Sequence, residues 1–198
     1  MNKNVLSLKN IAKIAILAAL SAIIMQFRFP LPFAPGFLDF DLAEVPSLIG
    51  AFAMGPVQGL IIVILKNILK VLISGTNTSF VGEFSNIIVN GALVLVAGFY
   101  YRHDRTFRGA IIAMILGVIA LTSVSTLSNY FVMFPLYANV LGWEIQQIVD
   151  MAAAVNPLVN SLETVMLFTI VPFNLITGIS TSIVTTLIYP HISPILKR

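Results

Sequence analysis

Long apolar stretches alternate along this chain with short segments of Pro, Gly and charged residues, and their lengths predict helices that cross a bilayer. The first follows Lys3, Lys9 and Lys13 and runs to Phe29, where Arg28 and the prolines Pro30, Pro32 and Pro35 stop it. Basic residues ahead of an apolar run, with small residues near Ser21, also open a cleavable signal peptide. Against that reading, Ala12, Ala15, Ala19 and Ala22 recur at intervals of three, four and three, a smooth stripe of the kind that lets a second helix come close in lipid. Alanine is a good helix former at any one of these positions, and only the register of all four singles them out. We expect an uncleaved first helix.

Pro30, Pro32, Pro35 and Gly36 exclude a helix from residues 30–40 and predict a stiff loop carrying Phe33, Phe37, Leu38 and Phe40. Aromatic residues in such a loop either anchor at the membrane interface or cover an apolar ligand. Residues 42–54 are short for a crossing, since about thirteen residues at ~1.5 Å rise reach ~20 Å against a hydrocarbon core of ~30 Å. The pattern turns at Gly55-Pro56 and then predicts crossings over 57–73, 83–101, 110–133 and 162–189, the last bent at Pro172. Residues 136–161 mix Trp143, Glu144 and Asp150 with apolar positions, as an interfacial helix and loop do. The expected architecture is an all-α integral membrane bundle of six helices, one domain over residues 1–198.

Composition agrees with that pattern: 58% of residues are hydrophobic, 10% are charged, and the mean hydropathy is +0.98, too apolar for a soluble domain of this size. All of the eleven Lys and Arg residues except Arg28, Lys66 and Lys70 fall in the N-terminal segment, the 102–108 loop or the C-terminal end. Six crossings put those three segments on one side, which the positive-inside rule makes cytoplasmic. The net charge of +3 is therefore a topology signal, and no nucleic-acid partner is expected. With no cysteine and two distant histidines, neither a disulfide nor a metal centre is expected. Phosphate loops, nucleophile elbows and zinc-hydrolase helices are all missing, so uphill movement of a solute would draw on another subunit or an ion gradient.

What remains to be explained is the polar content of the helices. Lys66 and Lys70 lie four residues apart on one helix face inside an apolar run, where a charge at mid-bilayer costs roughly 2.5–3.5 kcal/mol on insertion scales. Glu83 and Asn86 share a face of the next helix, and Lys66 is expected to snorkel or to pair with Glu83. Counting along the spans brings Asn86, Asn129 and Asn174 to a similar depth in the outer half of the membrane. Amide side chains offer donors and acceptors suited to a neutral, polar-edged small molecule, and each is equally suited to holding two helices together. A remoter alternative is an intramembrane enzyme using Glu83 and Lys66 as an acid/base pair.

Several runs, FDLAEVPSLIGAFAMGPVQG, LKNILKVL, GTNTSFVGEFSN, LSNYFVMFPLY, MAAAVNP and PFNLITG, resemble in the same order the riboflavin-specific S components of energy-coupling factor (ECF) transporters, the RibU family. The resemblance implies a six-helix protein of the cell membrane that is not an enzyme. Such a protein captures riboflavin on the outer side as cargo and delivers it with a transmembrane coupling protein and two ATPases. It implies that Ala12, Ala15, Ala19 and Ala22 dock on the coupling protein and that the 30–40 loop, with Phe33, Phe37 and Leu38, covers the vitamin. Asn129 and Asn174 would bind the flavin's polar edge or its ribityl hydroxyls; Glu83 and Asn86 join the candidate site from their shared helix face and not from the resemblance. The last run usually reads PFNLIKG, and here Thr177 stands in place of the lysine, a shorter, uncharged hydrogen-bonding group. S components for thiamine or pantothenate share the expected fold and are the nearest alternative.

Overall fold

The computed structural model describes residues 7–197, with side chains through Ser193; Lys3, Arg198 and the side chain of Lys197 carry parts of the topology argument and lie outside what it describes. Helix α1 (Leu8–Ile24) opens at Ser7, whose hydroxyl accepts from Asn10 N at 3.3 Å. After it the proline-rich segment folds back on itself. Strands β1 (Phe29–Pro30) and β2 (Asp39–Phe40) pair antiparallel, Phe29 opposite Phe40, so the expected loop is a small hairpin inside an otherwise helical fold. Arg28 and Asp39 hold its base at 3.4 Å, and the Phe29 and Phe40 rings meet with centroids 5.2 Å apart.

Helices α2 (Glu44–Met54) and α3 (Pro56–Ser74) are separated by Gly55 alone, at φ 131°, with Pro56 in the first turn of α3, where its missing N–H costs nothing. Helix α4 (Val81–His103) leads through a short turn to α5 (Phe107–Ser128), capped by Thr106. Here the expected boundary moves. The helix does not end before Pro135 but passes through a π-helical turn (Asn129–Met133) into α6 (Phe134–Leu141). A short α7 (Ile145–Ala153), closed by a capping box between Glu144 and Gln147, fills the interfacial region.

The last helix is likewise continuous, from α8 (Leu162–Val165) through a π-helical turn (Met166–Ile170) into α9 (Val171–Lys197). Pro172 has no N–H for the carbonyl of Phe168 one turn back, and the Asn156 side-chain amide donates to that oxygen instead, at 3.0 Å. A side chain from the preceding loop thus satisfies the backbone group that proline leaves open.

Four of these helical segments are long and apolar enough to cross a membrane: Pro56–Ser74, Val81–His103, Phe107–Leu141 and Leu162–Ser193. Together they make a multi-pass membrane protein, with α1 and the 11-residue α2 packed among them. At one end Phe52 stacks on Tyr101 with centroids 4.2 Å apart, and Tyr189 meets both rings edge-on. These contacts bring the Gly55-Pro56 turn, the 104–106 turn and the C-terminal part of α9 to the same level. The hairpin, the 75–80 turn and α7 gather at the opposite end, over a second core built around Met133, Phe134, Ile148 and Ile170.

Candidate functional site

The two lysines of α3 point to different helices. Lys66, 1% exposed, pairs with Glu44 at the start of α2, and Lys70, one turn further on, pairs with Glu83 at the start of α4 at 2.5 Å. The expected Lys66–Glu83 pair is therefore not formed. Helix α3 lies between α2 and α4, and the turn separating the two lysines matches the different depths at which those helices begin. Both carboxylate oxygens of Glu83 are engaged, one by Lys70 and the other by the hydroxyls of Thr76 and Thr78 at 3.0 and 3.2 Å. One oxygen of Glu44 is engaged by Lys66; the other is buried without a partner among the described residues.

Above these pairs, under the hairpin, is a cavity of about 170 Å³. Phe37 and Leu38 form its roof, and Asn86, Asn129, Asn174 and Thr177 line it from three helical segments. Those six are residues that the sequence reading singled out. Glu83 lines a neighbouring compartment of about 150 Å³ that shares Phe37, Asp39, Asp41, Asn86 and Tyr137 with the first. Either alone is small for a drug-sized ligand, which usually occupies ~300 Å³ or more, and the shared wall lets one ligand use both. Phe33 is half-buried and lines neither compartment.

The amides are held in a common way. Asn129 donates to Ser125 O at 2.8 Å and Asn174 to Ile170 O at 2.8 Å, each the carbonyl one turn back. Tethering the NH₂ to its own helix leaves the amide oxygen as the acceptor that each residue presents. Asn86 is held the opposite way: its oxygen accepts from Asn67 at 3.0 Å, which leaves its NH₂ as a donor. Thr177 donates its hydroxyl to Phe173 O at 2.9 Å and keeps acceptor capacity. Both π-helical turns abut the site, one beginning at Asn129 and the other ending four residues before Asn174. Such turns recur at functional sites because they re-aim side chains that a regular helix would rotate away.

Asp41, Glu44, Ser125 and Tyr137 also line the cavity and were not singled out from the sequence. Glu44 carried a signal in retrospect: a carboxylate opening an apolar helix, in a chain with two unexplained intrahelical lysines. A larger groove of about 500 Å³ between α5 and α9 is lined by the exposed Ile111, Ile115, Ile119 and Ile183 and has almost no polar surface. It offers a polar ligand nothing and has the character of a lipid-facing surface.

The family model for "ECF transporter, substrate-specific component" matches residues 9–189. The chain belongs to that family. Among curated proteins it is 34% identical, over 96% of its length and 93% of the relative's, to the riboflavin transporter RibU of Staphylococcus aureus. It is 26% identical to the riboflavin transporter FmnP of Bacillus subtilis, over 98% of this chain and 96% of the relative. A solved structure described as the S component of a bacterial ECF transporter superposes with a TM-score of 0.73 at 32% identity, covering 96% of this chain and 98% of that one. An ECF substrate-specific component is a transporter subunit and not an enzyme, which removes the acid/base alternative; the Glu83–Lys66 couple it needed is also not formed.

The small-residue stripe expected on α1 is open along part of its length. Ala12, Ala15 and Ala19 are exposed, but Ala22 is 1% exposed and buried with Ala18. At ~100° per residue Ala22 lies only about 20° round the helix from the exposed Ala15, so its burial comes from its level near the end of α1, where the neighbouring Ser21 hydroxyl donates to Ala43 O ahead of α2. The open small-residue surface is the three-residue one.

Proposed function

We propose that this chain is the riboflavin-binding S component of an ECF-type vitamin transporter, one domain over 1–198 crossing the plasma membrane six times with both termini cytoplasmic. The observation that carries the reading is the cavity beneath the proline-rich hairpin. Aromatic and aliphatic side chains roof it, and two amide oxygens and an amide NH₂ converge from α4 and the two π-interrupted helices. Riboflavin is a neutral molecule with a flat apolar ring, an imide edge and a hydroxylated chain, and it matches that mixture. The riboflavin transporters named among the relatives support the same cargo. Phe33, Phe37, Leu38, Glu83, Asn86, Asn129, Asn174 and Thr177 make up the proposed site, with Glu83 holding the wall through Lys70.

Titrating the detergent-purified protein with riboflavin in the dark tests the reading through saturable quenching of flavin fluorescence. A colourless protein without quenching would transfer the proposal to another vitamin. Uptake calls for an energy source that this chain lacks, and we assign that to a transmembrane coupling protein and two ATPases docking on the Ala12, Ala15 and Ala19 face. Replacing Ala15 and Ala19 with Leu is expected to leave riboflavin binding intact and to abolish uptake in cells, because only close helix approach is obstructed. Lost binding in the purified double variant would mean the face packs within the protein.

A further inference from the structure

We infer that the apolar groove between α5 and α9 seats one anionic phospholipid, with an acyl chain lying along the groove and the phosphate held by Arg105. The inference concerns a face away from the hairpin cavity and does not depend on the cargo.

The groove follows from side-chain spacing on two helices. Ile111, Ile115 and Ile119 recur every four residues on α5, and Ile179, Ile183 and Leu187 do so on α9, so each set forms a ridge along its helix. The helices meet at Gly178, where an added Cβ would sit 2.9 Å from Leu121 and 3.1 Å from Val118. One and two turns further along α9, Ser182 and Thr186 are small and form a floor, and the ridges stand as walls round a space of about 500 Å³. From Leu175 to Leu187 the groove runs ~18 Å at ~1.5 Å per residue, close to the ~15 Å that one leaflet contributes to a ~30 Å hydrocarbon core. A partner helix fits less well. Close helix approach in lipid relies on small residues, and these walls are exposed aliphatic side chains, unlike the open alanines of α1.

At its basic end the groove continues into a compartment of about 200 Å³, with which it shares Met114 and Thr186. Arg105, Thr106 and Ser193 line that compartment, so the walls turn polar where an acyl chain would give way to its headgroup. Arg28, Lys66 and Lys70 at the other end each pair with a carboxylate, whereas Arg105 forms no ion pair among the described residues. Asp104, the one acid between 102 and 108, accepts from Thr106 N at 3.2 Å, and Arg102, Arg105 and Arg108 leave the segment cationic. Helix α5 begins two residues after Arg105, and the positive end of its dipole adds to the same field. This is the end proposed to be cytoplasmic, the side on which a membrane presents anionic headgroups. An apolar trough that ends at an unpaired guanidinium suits an acyl chain carrying a phosphate, which a guanidinium can hold with two parallel hydrogen bonds.

The test is native mass spectrometry of the detergent-purified full chain, mixed with equal amounts of dioleoyl phosphatidylglycerol and dioleoyl phosphatidylcholine, on wild type, Arg105→Gln and Ser182→Phe. Wild type is expected to retain one phosphatidylglycerol about fivefold more strongly than phosphatidylcholine. Arg105→Gln should bring that ratio near one, chiefly by losing phosphatidylglycerol, and Ser182→Phe should fill the floor and lower both lipids together. Arg105 is exposed, so its variant keeps the inference falsifiable if Ser182→Phe fails to fold. Equal retention of the two lipids by wild type would overturn the inference. A preference unchanged in Arg105→Gln would also overturn it, because the basic surface as a whole would then be responsible. A folded Ser182→Phe that retains both lipids like wild type would overturn the groove as the seat.

Discussion

The two ends of this molecule are built on opposite rules. At the end holding the Gly55-Pro56 turn, helices touch through small residues: a Cβ on Gly59 would sit 2.5 Å from Val94 and 2.6 Å from Ala51, and one on Gly98 would sit 3.0 Å from the Pro56 backbone. Three aromatic rings close the remaining space. At the hairpin end the helices are interrupted by π turns, held apart by buried ion pairs, and separated by a cavity lined with amides. Backbones that touch leave no room for a ligand; helices spaced by paired charges do. The contrast separates a closely packed base from the end that holds the proposed riboflavin site.

Removing one partner of the Lys66–Glu44 pair should disturb that contrast most. Lys66→Ala leaves a buried carboxylate without its cation, a change that typically costs 3–5 kcal/mol, and is expected to lower the unfolding midpoint in detergent sharply. A double variant, Lys66→Met with Glu44→Gln, should recover most of the loss. If the single variant unfolds like the parent, the pair is not what spaces α2 from α3. At the base the equivalent insult is Gly59→Leu, expected to destabilise by about 1–3 kcal/mol through overpacking. Titration of the folded fraction should show unchanged riboflavin affinity, since Gly59 lines neither site compartment.

How much of this was legible in the sequence differs between the ends in the same way. Periodicity and proline placement located the crossings, because lipid imposes one long apolar stretch per helix. The convergence of Asn86, Asn129 and Asn174 at one depth also followed from counting residues along helices. Contacts set by three-dimensional arrangement did not follow. From the sequence Lys66 is expected to snorkel or to pair with Glu83, and the packing of α3 between two helices gives it Glu44 instead. Pro135 reads as a stop, and only the π turn before it shows how the helix continues. The orphaned Phe168 carbonyl and its Asn156 donor are likewise a meeting that no local pattern records. Ala22 left the stripe because its end of α1 is covered by the segment entering α2, where Ser21 donates to Ala43 O, a meeting that spacing along one helix does not record.

Within the site the expected effects are on binding and not on folding. In the proposed site Asn129→Ala or Asn174→Ala would remove an acceptor lining the cavity and leave a riboflavin donor unpaired. We expect each to weaken riboflavin binding by about 1–3 kcal/mol, roughly 5- to 150-fold, with a melting midpoint close to the parent. Each amide also donates to its own helix, so a variant that loses stability and keeps its affinity would mark that residue as helix glue.

The smallest effect is expected at the hairpin. Arg28 and Asp39 meet at 3.4 Å with each side chain about a third exposed, and exposed pairs contribute about 0–1 kcal/mol. Arg28→Ala should therefore leave the melting midpoint unchanged and weaken equilibrium binding by no more than about fivefold. If the hairpin is the part of the site that opens, that loss appears in the dissociation rate, measured by stopped-flow displacement of riboflavin, with the association rate nearly constant. A change confined to association would instead place Arg28 on the entry path. The comparison of the two ends would then gain a third element, a gate whose charge acts before the ligand is bound.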